Sequence, residues 1–188
     1  LMSFLEDQGL AEDTILIFQT DNGTTFGDRY YPAGMRGRKA QLWEGGHRVP
    51  LFLRWPSGDL GKPRDIGGLT TIQDILPSLL ELCDIQPRQT PRFDGVNLAP
   101  VFRDPRNSPP EDRMVVINYS RLPFGFEYPS PDAPSRMYRE GGVVLWKRWR
   151  MLQNRELYHL DRDPLQQHNV IDQYPEVAAK MRAHLDAW

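Results

Sequence analysis

The stretch Ile15-Leu16-Ile17-Phe18-Gln19-Thr20-Asp21-Asn22-Gly23 does most to limit what this chain can fold into. From Thr14 to Thr20 it is rich in β-branched and aromatic side chains, and Asp21-Asn22-Gly23 stops it, so it predicts a buried strand ending in a turn. Before it, Leu1, Met2, Phe4, Leu5 and Leu10 form a short helical stripe closed by Gly9. A helix followed by a strand is half of a βαβ unit and predicts an α/β fold with a parallel sheet. In open sheets of that kind, ligands gather beyond the carboxyl ends of the strands, where Asp21 and Asn22 fall. A carboxylate beside an amide carbonyl offers two hard oxygens that suit Ca2+ or Mg2+. Asn-Gly is also a common turn pair, and taken alone the tripeptide reads more simply as a turn.

The residues that follow shift the balance toward a ligand site. Between Asp28 and Arg54 there are six basic side chains (Arg29, Arg36, Arg38, Lys39, Arg48 and Arg54) against two acids, Asp28 and Glu44. Positive charge next to a cation site suits an anion that bridges the two. Residues 23–47 are glycine-rich and without periodicity, and a loop that long inside a compact domain is either functional or disordered.

At these residues the chain resembles the sulfatase family of the alkaline-phosphatase-like superfamily. The resemblance rests on Thr20-Asp21-Asn22-Gly23 and on Gly37 to Pro50, where Lys39 stands five residues before Glu44-Gly45-Gly46-His47-Arg48-Val49-Pro50. It continues through Asp74-Ile75-Leu76-Pro77-Ser78-Leu79-Leu80-Glu81-Leu82 and Glu156 to Pro164, leaving aside roughly residues 103–137. It implies hydrolysis of a sulfate ester to an alcohol and inorganic sulfate. Asp21 and Asn22 match two ligands of the divalent cation, Ca2+ or Mg2+, and Lys39 matches a contact to the sulfate. Glu-Gly-Gly-x-Arg reads as a structural device that fixes the loop presenting Lys39, and Glu44 and Arg48, four apart, can pair.

The resemblance covers the family's carboxyl-terminal part. The family's nucleophile is a formylglycine made from a Cys or Ser in a Cys-x-Pro-x-Arg motif. The single cysteine, Cys83, has Ile85 where that motif has Pro, so no catalytic nucleophile is expected here. The formylglycine, the other metal-binding aspartates and the rest of the site are expected in an amino-terminal half outside this sequence, and the chain alone is expected to be inactive. Periplasmic or secreted localisation is what the family suggests.

Composition agrees with a soluble globular chain: 39% apolar and 26% charged residues. A net charge of −2 argues against general nucleic-acid binding, and one cysteine excludes an internal disulfide. No apolar run approaches the roughly 18 residues of a membrane span. The 17 prolines, about twice average usage, point to many ordered loops.

Further along, Val49–Trp55 reads as a strand, with Pro50 near its start or at a sheet edge. Residues 72–85 read as a helix with Asp74 as N-cap and Pro77 in the first turn. Its buried face would hold Leu79, Leu80, Leu82 and Cys83, the last as an inert core thiol. Met114–Tyr119 reads as a strand within a proline-rich segment, where Phe124, Phe126 and Tyr128 could stack on a sugar or aryl group or pin the loop. Val143–Leu152 and Glu156–Leu160 read as two antiparallel strands, with Trp149 and Met151 alternating against half-exposed Arg148 and Arg150. Pro175–Trp188 reads as a helix with Val177, Met181, Leu185 and Trp188 on one face. His47 could approach substrate, though a structural role is favoured because the family position is variable; His159, His168 and His184 lack metal-like spacing and read as packing or surface residues.

The expected organisation is therefore residues 1–102 as part of an alkaline-phosphatase-like parallel-sheet domain. Residues 103–188 follow as a small antiparallel sheet packed on a carboxyl-terminal helix. Two other functions share these features: a phosphatase or phosphodiesterase of the same superfamily, and a non-catalytic binding module formed by the isolated chain.

Overall fold

A computed structural model describes residues 1–89, 91–118 and 142–188. In chain order the helices are α1 (Met2–Asp7), α2 (Glu44–His47), α3 (Ile75–Leu82), α4 (Ala99–Arg103) and α5 (Pro175–Ala187). The strands are β1 (Leu16–Gln19), β2 (Leu51–Arg54), β3 (Met114–Asn118), β4 (Gly142–Trp146), β5 (Trp149–Leu152) and β6 (Glu156–His159). The chain forms two compact units. One comprises Leu1–Gln19 with Pro50–Glu111, the other Thr20–Val49 with Asp112–Trp188.

In the first unit, α1 ends as the sequence predicts. Gly9 takes φ +67°, and Gly9 and Leu10 donate to the carbonyls of Glu6 and Leu5. Only a residue free of a Cβ adopts that left-handed closure without cost. β1 and β2 pair antiparallel from Leu16↔Arg54 to Gln19↔Leu51. The parallel pairing inferred from helix-then-strand order is thus not the one β1 makes, though antiparallel edge pairs accompany many otherwise parallel sheets. β1 is also half-buried rather than buried. Alternate side chains of a ladder face opposite ways, so Ile17 and Leu53 line a small apolar cavity with Ser78, Leu82, Leu98 and Phe102. Phe18 and Phe52 stand on the other face, exposed, with ring centroids 6.1 Å apart.

α3 is entered through a capping box one turn earlier. Thr71 caps the 3-10 turn Ile72–Asp74, and Asp74 then stands at the N-cap of α3 as expected. The buried Asp74 carboxylate accepts from Thr71 N at 2.7 Å and from Val96 N at 2.8 Å, tying the helix start to a distant loop. Pro77 is buried in the helix's first turn. Cys83 is exposed, contrary to expectation. The helix stops at Leu82, which takes the last buried position, and Asp84 turns away at φ +50°.

The second unit is a four-stranded antiparallel sheet in the order β3-β4-β5-β6, with α5 against it. Val144, Met151 and Leu157 from three strands meet Ala178, Met181 and Leu185 of α5 in one core. The small sheet and its helix are those the sequence predicts. The stretch 143–152, read as one strand, is instead a hairpin. Trp146 pairs with Trp149 across a turn in which Lys147 takes φ +52°. A Lys-Arg turn carries none of the Gly, Asn or Asp that normally betray a hairpin. Trp188 is 53% exposed and lies past the end of α5; Ala178 completes the buried stripe. Phe124, Phe126 and Tyr128 lie outside the described residues.

Candidate functional site

Asp21, Asn22 and Lys39 all belong to the second unit. Backbone bonds bring their segments together. Gly23 N donates to Gly46 O at 2.9 Å, and Lys39 N donates to Thr24 O at 2.9 Å. The first of these leaves no room for a side chain: a Cβ on Gly23 would lie 1.8 Å from Gly45 O. The Asp-Asn-Gly turn and the loop carrying Lys39 are thus adjacent because glycine backbones face each other. Asp21 and Lys39 are exposed, and Asn22 is half-buried.

The loop from Arg36 to Gly45 is closed at its neck, where Gly45 N donates to Arg36 O at 2.8 Å. Beyond the neck, Arg38 N donates to the Gln41 side chain at 3.1 Å and Gln41 N returns to Arg38 O at 3.0 Å. Lys39 sits inside that turn, with Ala40 beside it at φ +71°. Arg38 lies 3.9 Å from Asp28, while Arg36 lies over the Trp43 ring at 4.0 Å. Arg36, one of the six basic residues of this stretch, thus braces the neck.

The Glu44 carboxylate is almost wholly buried, at 1% exposure. Its Oε1 accepts from Arg150 Nε at 2.6 Å and lies 3.2 Å from His47 Nε2, and Arg48 stands 3.7 Å from Oε2. The pairing with Arg48 is as expected, but the principal partner is Arg150. Burial pushes the Glu44 carboxyl up. The hydrogen bond from His47 and the charge and hydrogen bond of Arg150 outweigh it and hold the pKa at about 2. Arg150 is 4% exposed, not half-exposed as its strand alternation suggested. Burial lowers its own pKa against the raising effect of Glu44. Its Nη1 donates to the carbonyls of Lys147 and Trp149 at 3.0 and 2.8 Å. An ion pair so enclosed depends on these partners, because a buried charge left unmatched costs several kcal/mol; among the described residues, Glu44 Oε2 has no hydrogen-bond donor and only Arg48 at 3.7 Å.

Gln166 is fully buried and had no part in the sequence reading. Its side-chain oxygen accepts from Glu44 N at 2.9 Å, and its backbone carbonyl accepts from the Arg36 guanidinium. The remaining histidines pack as expected: His159 meets Trp149 edge-on at 4.5 Å, and His168 lies exposed near Asp163.

Asp21 and Asn22 supply one carboxylate and one amide oxygen, hard donors of the kind Ca2+ and Mg2+ take. Two such donors are a fraction of the roughly six to eight that surround a calcium ion. Among the described residues, no group of three or more His, Cys, Asp or Glu side chains could hold a metal. The pair therefore fits a partial shell. Among the described residues, no helix is long and apolar enough to cross a membrane.

Residues 1–85, which include the Asp-Asn-Gly turn and the whole Lys39 loop, match the family model described as Sulfatase. An N-acetylgalactosamine-6-O-sulfatase of Bacteroides thetaiotaomicron is 28% identical over 207 residues, covering 100% of this chain. An uncharacterized sulfatase of Escherichia coli is 29% identical, covering 64% of it. Both the family model and these relatives make sulfatases what this chain is similar to. Sulfatase structures share its fold. One, from a Bacteroides thetaiotaomicron locus for the metabolism of multiple glycosaminoglycans, superposes with a TM-score of 0.70 at 23% identity, over 99% of this chain and 41% of its own. A phosphonate monoester hydrolase of Agrobacterium radiobacter does so with a TM-score of 0.69 at 23% identity, over 98% of this chain and 37% of its own. The chain spans 38% and 21% of the lengths of these two curated relatives. Its fold, with a small antiparallel sheet and a terminal helix, is shared with these solved structures.

Proposed function

We propose that this chain is the carboxyl-terminal part of a sulfatase that hydrolyses a sulfate ester to an alcohol and inorganic sulfate. In this reading Lys39 contacts the sulfate, Asp21 and Asn22 contribute two ligands to a divalent cation, and the chain carries no nucleophile. The observation that supports it best is the pair of backbone bonds, Gly23 to Gly46 and Lys39 to Thr24, that hold the turn and the cationic loop together. A bound Ca2+ or Mg2+ supplies polarisation of a sulfuryl oxygen and a template for the substrate. Lys39 places a compact, mobile cation on a loop whose neck is fixed, which is what an anion with three equivalent oxygens requires. Its charge gains value as negative charge grows on the sulfuryl group and leaving oxygen. The formylglycine nucleophile and the remaining ligands belong, on this reading, to the amino-terminal part of the full-length protein.

The test is sulfate release from an aryl sulfate by the full-length protein, with and without Lys39→Ala, and by the purified 188-residue chain. The full-length protein should turn over and lose most activity on substitution, and the isolated chain should not turn over. Metal-dependent turnover by the chain alone would refute the proposed division of the site.

The similarity to a phosphonate monoester hydrolase favours a second reading, hydrolysis of a phosphorus ester on the same scaffold. Comparing kcat/KM for matched aryl sulfate and aryl phosphonate esters separates the two. Calcium and sulfate titrations of the isolated chain address the third, a non-catalytic binding module.

A further inference from the structure

Gln166 is a buried amide with two bonds that converge on one short loop. Its Oε1 accepts from Glu44 N, and its backbone oxygen accepts from Arg36. Arg36 and Glu44 are the residues on either side of the neck, which the bond from Gly45 N to Arg36 O closes. Gln166 thus grips both sides of the neck at once, from 122 residues along the chain. Arg150 grips it a second time through the 2.6 Å bond to the Glu44 carboxylate. The hold is rigid because Gln166 is itself fixed. It takes φ +50°, its N–H donates to Asp163 O at 3.0 Å, and Asp163 Oδ2 accepts from His168 N at 2.7 Å. Lys39 itself is exposed, so its side chain is left mobile while its base is not.

We propose that Gln166, supported by Arg150, is a positioning residue for the sulfate contact, acting on substrate solely through the placement of Lys39. The proposal rests on the reading of Lys39 as that contact. A displacement of about 1 Å in a catalytic group can cost up to roughly a hundredfold in rate, so a neck clamp is enough to matter. Gln166→Met keeps the side chain's volume and removes the acceptor for Glu44 N, leaving the bond from Arg36 to the backbone oxygen.

The experiment is a double-mutant cycle in the full-length protein with 4-nitrophenyl sulfate as probe: Gln166→Met, Lys39→Ala and both together. Gln166→Met should lower kcat/KM by roughly ten- to a hundredfold, with the larger part in kcat. In the Lys39→Ala background the same substitution should add less than about threefold, since the group it positions is gone. An effect that multiplies undiminished in that background, or no effect in the wild type, overturns the proposal. If Lys39→Ala itself keeps wild-type kinetics, the reading of Lys39 fails first. An impaired Lys39→Ala with an unaffected Gln166→Met overturns the positioning role alone. Amide exchange separates positioning from general loosening. Gln166→Met should speed exchange at Glu44 and Gly45 and leave β4, β5 and β6 unchanged, and equal acceleration throughout the sheet overturns the proposal. Should Gln166→Met fail to fold, Arg36→Met removes the other bond to the same residue and carries the same expectations.

Discussion

Glu44 and Arg150, 106 residues apart, form a buried ion pair of 2.6 Å that joins the Lys39 loop to the middle of the four-stranded sheet. Neither residue needs to touch substrate. The pair instead ties the carboxyl-terminal end of the loop between Arg36 and Gly45 to β5.

That pair should make stability acid-sensitive. The Glu44 carboxyl has an ordinary pKa of 4.5 and is held at about 2 when folded. A group depressed on folding contributes its stability in full above its unfolded pKa and loses it as pH falls toward its folded one. The contribution, on the order of 3 kcal/mol, should therefore disappear between about pH 4.5 and pH 2. Thermal midpoints measured across that range should fall more steeply for the wild type than for Glu44→Gln, which starts lower at neutral pH. Parallel curves for the two proteins would show that Glu44 is not the group responsible.

Lys39→Ala in the full-length protein should lower kcat more than it raises KM, with a total loss on the order of 10²–10³ in kcat/KM. Lys39→Arg should recover part of it, because a planar fork does not replace a compact ammonium. Arg38→Ala should cost less than about tenfold, or roughly 1.4 kcal/mol, since Arg38 is directed to Asp28 at 3.9 Å. Steady-state kinetics that rank Arg38→Ala as the more damaging change would place the anion contact on the wrong side chain.

Asp21→Ala should weaken divalent-cation binding and turnover strongly in the full-length protein, and Asn22→Ala less, because a charged oxygen is lost in one and a neutral oxygen in the other. Chelation followed by graded return of Ca2+ reads both. Full activity of Asp21→Ala at wild-type calcium concentrations would remove it from the shell.

Gly23→Ala should destabilise by roughly 1–3 kcal/mol or more, because the new methyl meets backbone that cannot rotate aside. The distance involved is 1.8 Å to Gly45 O. Gly67→Ala is the comparison, since a Cβ there meets nothing within 4 Å and φ is ordinary; it should stay within about 0.5 kcal/mol of wild type. Urea midpoints of the two variants check the contrast.

Much of this was readable from residue order alone. The strand before Asp21, two strands of the terminal sheet and its helix follow from periodicity and turn chemistry, while the placing of Lys39 near the Asp-Asn-Gly turn and the full four-stranded sheet follow from the family resemblance. What escaped did so for physical reasons. Lys147-Arg148 makes a tight turn without a turn residue, so one strand was seen where there are two. Cys83 looks apolar, but α3 ends one residue before it. Arg150 alternates as a solvent-facing residue should, and only a carboxylate from residue 44 makes its burial tolerable. Gln166 gives no local signal at all, since its partners Arg36 and Glu44 lie in a distant segment. Pairings at that separation carry no short-range pattern.

The clamp also sets a timetable for synthesis. Turns such as Gly27 N to Thr24 Oγ1 and Gln41 N to Arg38 O need only neighbours and can form as soon as those residues leave the ribosome. The neck of the Lys39 loop cannot be secured until Gln166 emerges, 122 residues after Glu44. Closing so long a loop costs only slightly more entropy than closing a shorter one, but contacts this distant form late. A nascent chain therefore carries Lys39 on an unfastened loop until Gln166 follows it out. Proteolysis of chains stalled before and after residue 166 should show cleavage within 36–45 ending only in the longer one.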